Sequence, residues 1–131
     1  MTVKLPADAQ LTGKFDGFGR PFVTIEAGPT AKLIAEKEFM VDSGFNGQCA
    51  ITELTRRDYK LQIFGTHRIG TPAGDVDLNY GYIYVKWGPM TRPEPKKAIF
   101  WKADVNAIET QFLAGFVMVM ELKPGGLVEI G

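Results

Sequence analysis

The sequence predicts an all-β domain closed into a barrel, and two observations carry that reading. Fifteen glycines and eight prolines are spread along 131 residues and separate short runs rich in Val, Ile, Phe and Tyr, which is a strand-and-turn texture. No repeat, low-complexity tract or long linker interrupts it, so residues 1–131 read as a single domain. Closing the sheet on itself removes exposed edges, and 45% hydrophobic content suffices for a core without disulfides or metals.

Taken in order, Lys14 to Ile25 reads as a hairpin, with Asp16-Gly17 where the turn needs positive φ, and Gly28-Pro29 ends its second strand. A strand over Leu33 to Val41 runs into the polar, glycine-rich turn Asp42-Ser43-Gly44-Phe45-Asn46-Gly47. Thr52 to Leu61 carries one short helical turn capped by Thr52. Thr71-Pro72-Ala73-Gly74-Asp75 is a tight turn, followed by an alternating strand with Val76, Leu78, Tyr80, Tyr82 and Tyr84 on one face, which implies a hairpin arm. The proline-bearing stretch Gly88 to Lys97 reads as a loop before a strand over Ala98 to Trp101. Phe116 to Leu122 and Leu127 to Ile130 form a last hairpin across Lys123-Pro124-Gly125-Gly126.

Fifteen basic and fifteen acidic residues cancel, so no electrostatic footprint for a phosphate backbone or anionic membrane exists, and nucleic acid is not an expected partner. Arg92, Lys96 and Lys97 are interrupted by Pro93, Glu94 and Pro95 and read as a solvated loop rather than a basic stripe. The longest apolar run, Phe116 to Met120, is far too short to span a bilayer. The single Cys49 and an N-terminus without a signal-peptide pattern favour a reducing, cytoplasmic setting.

The chemistry concentrates at Asp42-Ser43-Gly44. A carboxylate at a strand-to-turn junction suits acid–base activation of water, the glycine lets the backbone bend and approach a substrate, and the hydroxyl can steady the loop. Such a triplet also occurs in ordinary Asx turns. The apolar approach Phe39-Met40-Val41 and the continuation Phe45-Asn46-Gly47 make it more specific.

Phe39 to Gly47 resembles the signature of the bacterial retropepsin-like, or retroviral-type, aspartic proteases. The likeness extends over nearly the full length: the Thr12 to Ile25 hairpin with Gly19-Arg20-Pro21, the signature, a flap-like Thr71 to Asp75 turn, and the closing Phe112-Leu113-Ala114-Gly115-Phe116 and Pro124-Gly125-Gly126 segments. It implies a closed barrel of the acid-protease type with a flap hairpin over the cleft. It also implies a homodimer in which two copies of Asp42 share one proton and hydrolyse an extended peptide, with no cofactor or metal. Gly44, Thr71, Ala73, Gly74 and Asp75 would contact that peptide. The family places two apolar residues and a glycine behind its catalytic loop, whereas here these positions fall on Ala107-Ile108-Glu109, with Glu109 expected at the surface.

Other candidates carry less. His67 has no partner at metal-ligand spacing, and a Cys49–His67 nucleophile pair competes with the simpler reading of Cys49 as a small buried hydrophobe. Trp87, Trp101 and the strand tyrosines fit core or cross-strand packing better than a cleft lining, and Asp75 and Asp77 read as solvated turn residues. The chief rival to an endopeptidase is a catalytically inactive barrel that binds peptides or serves assembly.

Overall fold

The computed structural model describes residues 11–42, 49–87, 92–109 and 118–130. The expected strand residues Phe116 and Val117, the closing segment 112–116, and Ser43 through Gly47 lie outside them. Among the described residues ten strands and one helix follow in the order β1 (Leu11–Phe15), β2 (Pro21–Gly28), β3 (Ala35–Val41), β4 (Cys49–Thr52), α1 (Glu53–Tyr59), β5 (Gly65–Thr71), β6 (Gly74–Lys86), β7 (Glu94–Trp101), β8 (Ala107–Ile108), β9 (Met118–Met120) and β10 (Leu127–Ile130).

The first hairpin is longer than an Asp-Gly turn would make it, because Phe15 pairs with Pro21 rather than with a nearer residue. The Asp16 carboxylate accepts from the amides of Phe18 and Arg20 at 3.0 and 2.8 Å and so organises a wider loop. The left-handed residue is consequently Gly19, at φ 78°, and not Gly17. Thr52 caps α1 as expected, accepting from the Thr55 amide at 3.1 Å, and Lys60 ends the helix at φ 54°. The Thr71 to Asp75 turn is a two-residue connection, Pro72-Ala73, with Thr71 opposite Gly74.

The loop expected over residues 88–97 is in part a strand. Tyr84 pairs with Pro95, Ile83 with Lys96 and Tyr82 with Lys97, so β7 begins at Glu94. Local polarity and proline misled here, because pairing with β6 outweighs the low strand preference of these residues.

Strand order is β5-β6-β7-β4-β8-β3-β2-β1-β10-β9, with β6 also pairing to β2. The pairings β2–β3, β3–β8, β8–β4, β4–β7, β7–β6 and β6–β2 therefore return on themselves. Inside lies the main core, which includes Val23, Ile25, Phe39, Ile51, Ile83, Val85, Phe100, Ile108, Val128 and Ile130. Full burial of each such aliphatic or aromatic side chain is worth about 1.5–3 kcal/mol.

A second cluster occupies the other face of the same strands: Ala50, Ile69, Ile99 and Ala107, with Met40, Leu78 and Trp101 packed against them. The period of two explains the division. Cys49 and Ile51 enter the core while Ala50 faces outward, Ala98 and Phe100 enter while Ile99 faces outward, and Ile108 enters while Ala107 faces outward. Strands covered on both faces read as continuous apolar runs, as Cys49-Ala50-Ile51 and Ala98-Ile99-Phe100 do.

The tyrosine face of β6 alternates as expected and packs across strands rather than into the core. Gly81, Ile83 and Val85 are the inward residues at the base of the strand, leaving Tyr82 42% exposed, edge-on to Phe64 with ring centroids 5.2 Å apart. Trp87 belongs to the main core.

Candidate active site

Asp42 follows β3 directly and is half-buried. Its amide donates to the carbonyl of Ile108 at 2.9 Å, and the Met40 amide donates to the carbonyl of Asn106 at 2.8 Å. These bonds belong to a parallel ladder in which Met40 lies opposite Ala107 and Val41 opposite Ile108. On its other side β8 runs antiparallel to β4, with Cys49 opposite Ile108 and Ala50 opposite Ala107. Consecutive strands β3 and β4 are thus parted by a two-residue strand from much later in the chain, and Asp42 stands where they part.

Ala107 and Ile108 are therefore paired between β3 and β4, and the residue after them is the surprise. Glu109 is 6% exposed rather than at the surface. Parallel register carries the residue after Ile108 one step beyond the Val41–Ile108 pair, beside Asp42. Continuing the period of two by one step from Met40 and from Ala107 puts Asp42 and Glu109 on the face of the second cluster.

That cluster also joins the hairpin arm to the site. Ile69 of β5 and Leu78 of β6 pack with Ala107, Ala50 and Met40, so the arm stands on the residues that lead into Asp42. At its tip Thr71 is half-buried, Ala73, Gly74 and Asp75 are exposed, and Gly74 has φ 119°. Asp75 pairs with Gly70 within the ladder, and Asp77 bonds Arg68 at 3.1 Å. These two aspartates are strand residues, not turn residues.

Sequence reasoning missed Asn106, which is 7% exposed. Its Oδ1 accepts from the Thr52 amide at 2.9 Å and from the Thr55 hydroxyl at 3.1 Å. An Asn directly before an apolar pair looks like a turn residue; only the parting of β3 and β4 gives it these partners. Val105 beside it receives the Trp101 indole N–H at 3.0 Å.

Cys49 is 1% exposed, and burial pushes its thiol up to about 12, the opposite of what a thiolate nucleophile needs. His67 lies on β5, separated from β4 by β6 and β7; its Nδ1 meets the Lys97 ammonium at 2.9 Å, and Lys97 sits 4.2 Å from the Tyr80 ring centroid. Lys97 is thus a strand residue with defined partners rather than part of a solvated loop. Among the described residues no His, Cys, Asp and Glu group could hold a metal ion, and no helix is long and apolar enough to cross a membrane. A cavity of about 670 Å³ opens across β1 and β2 beside Thr12, Lys14, Phe22, Thr24 and Glu38, apart from Asp42.

The architecture that emerges is a mostly β fold with one short helix, of the retropepsin-like type. It is similar to the crystal structure of a retropepsin-like aspartic protease from Rickettsia conorii, with a TM-score of 0.53 and 14% sequence identity over 96% of each chain. No protein-family profile matches the sequence, and no curated protein does.

Proposed function

We propose that this chain is an aspartic endopeptidase that works as a homodimer, each subunit contributing Asp42 to a shared site. The observation that carries the reading is Asp42 at the end of β3, its amide held by the carbonyl of Ile108, in a fold similar to that of an aspartic protease. Since the sequence holds a single Asp-Ser-Gly, a paired-carboxylate site needs two copies of one domain related by a two-fold axis. The returning strand pairings support a closed barrel as the scaffold.

Two carboxyls held close cannot both ionise cheaply, so the pair holds one proton and titrates as a unit. The ionised Asp42 takes a proton from water as the water attacks the scissile carbonyl, and the protonated Asp42 of the partner subunit donates to the carbonyl oxygen. Ser43 steadies the loop, and the Gly44 backbone bonds an extended peptide. The β5–β6 arm closes over that peptide through Thr71, Ala73, Gly74 and Asp75. No cofactor or metal takes part, and a cytoplasmic location fits the lone cysteine.

One observation favours a second reading, a catalytically inactive dimer that binds peptides or serves assembly. Glu109, buried level with Asp42, adds a carboxyl where the family has a glycine. Incubating wild type and Asp42→Asn with a diverse peptide mixture from mildly acidic to neutral pH, with products read by mass spectrometry, separates the two. Internal cleavage by wild type alone, blocked by a statine-type inhibitor, establishes the peptidase; no cleavage by a folded wild-type dimer establishes the binding module.

A further inference from the structure

We propose that Asn106 is a positioning residue for Asp42, an inference that rests on the aspartic peptidase reading. Its two polar ends serve different strands. The backbone carbonyl holds the Met40 amide, two residues before Asp42, at 2.8 Å. The side-chain Oδ1 holds the Thr52 amide at 2.9 Å and the Thr55 hydroxyl at 3.1 Å, at the junction of β4 and α1.

The orientation of the amide group is fixed by its partners. A backbone N–H can only donate, so the atom facing Thr52 is the oxygen. The remaining protons then order themselves: the Thr52 hydroxyl donates to the Thr55 hydroxyl at 3.1 Å, and the Thr55 amide donates to Thr52 Oγ1 at 3.1 Å. Asn106 and Thr55 are buried and Thr52 is half-buried, and linked bonds of this kind in a partly desolvated setting favour one geometry over several.

What that geometry sets is the height of β8. Asn106 immediately precedes Ala107 and Ile108, and the Ile108 carbonyl carries the Asp42 amide at 2.9 Å. Releasing Asn106 from β4 frees β8 to slide between β3 and β4, and Asp42 moves with it. Two carboxyls that share a proton tolerate little displacement, so Asn106 acts on the chemical step and not on peptide binding.

The test compares Asn106→Ala, Asn106→Asp and Thr55→Val with wild type, counting competent sites by titration with a tight statine-type inhibitor. In Asn106→Ala kcat per titrated site is expected to fall about tenfold or more, with KM within about twofold of wild type. Asn106→Asp keeps the acceptor and restores most of kcat, while its added charge moves the acidic limb of the pH profile upward. Thr55→Val, which removes the hydroxyl that donates to Asn106 and accepts from Thr52 while keeping the Asn106 side chain, loses part of kcat and serves if Asn106→Ala does not fold. Unchanged kcat per site in a folded Asn106→Ala or Thr55→Val, with only a lower melting temperature, overturns the proposal while leaving the peptidase standing. An inactive wild type overturns both.

Discussion

The amide of Asp42 is held by the carbonyl of Ile108 at 2.9 Å, and the Ile108 side chain is fully buried in the main core. The residue that supports the candidate catalytic aspartate is thus anchored by hydrophobic packing on one face of a two-residue strand. Truncating Ile108→Ala removes buried atoms from a site closed by β3 on one side and β4 on the other, where collapse is difficult. A loss of about 2–5 kcal/mol is expected in urea unfolding, and only about 0.5–1.5 kcal/mol for Ile108→Val. A loss below about 1 kcal/mol for the alanine variant would mean that β8 is not a structural anchor.

Glu109 yields a prediction about stability. Its side chain is 6% exposed beside the end of β3, and a polar group buried there is held by its partners, so removing it leaves those partners unsatisfied. Glu109→Ala is expected to cost about 1–3 kcal/mol in urea unfolding, and Glu109→Gln, which keeps the side-chain shape and hydrogen-bonding capacity, less. An alanine variant as stable as wild type would show that Glu109 takes no part in holding the junction between β3 and β8.

Much of the fold was legible because it is written in local signals. Thr52 as a cap, Gly28-Pro29 as a strand stop, and the turn at Pro72-Ala73 each follow from the chemistry of one or two residues. The burial of Glu109 and the partners of Asn106 were not legible, since both depend on β8 entering between β3 and β4, a pairing between distant parts of the chain. The same limitation hid β7 within Glu94 to Lys97, which a reading of polarity and proline assigns to loop. Asp42 stands out as a candidate through its apolar approach and glycine-rich continuation, a pattern that is local in the chain.

Asp16 gives a test of stability against pH. Partial desolvation raises its carboxyl, but the amide and guanidinium of Arg20 and the amide of Phe18 outweigh it and hold the group below its ordinary 3.8. A carboxylate with a depressed pKa stabilises the fold above the ordinary value and loses that contribution as pH falls through the folded value. Asp16→Asn is therefore expected to lower the melting temperature at neutral pH, with the gap to wild type closing in strongly acidic solution. Melting curves from neutral pH down to about pH 3 read this directly, and a gap that stays constant with pH would mean that Asp16 acts only through its turn geometry.

Cys49 separates carboxylate chemistry from thiol chemistry. Its side chain is 1% exposed within the main core, and burial lifts the thiol from 9.0 to about 12. The folded protein should therefore react slowly with iodoacetamide at mildly alkaline pH and rapidly once urea unfolds it, since the thiolate is the reacting species. A raised pKa in the folded state also means that the stabilising contribution is complete below the ordinary value and declines as pH rises above it, so alkaline solution weakens the fold from about pH 9 upward. Cys49→Ala is expected to remove this alkaline component and, on the proposed Asp42 chemistry, to keep peptide cleavage. Fast alkylation of the folded protein, or loss of cleavage in a folded Cys49→Ala dimer, would instead assign the chemistry to the cysteine.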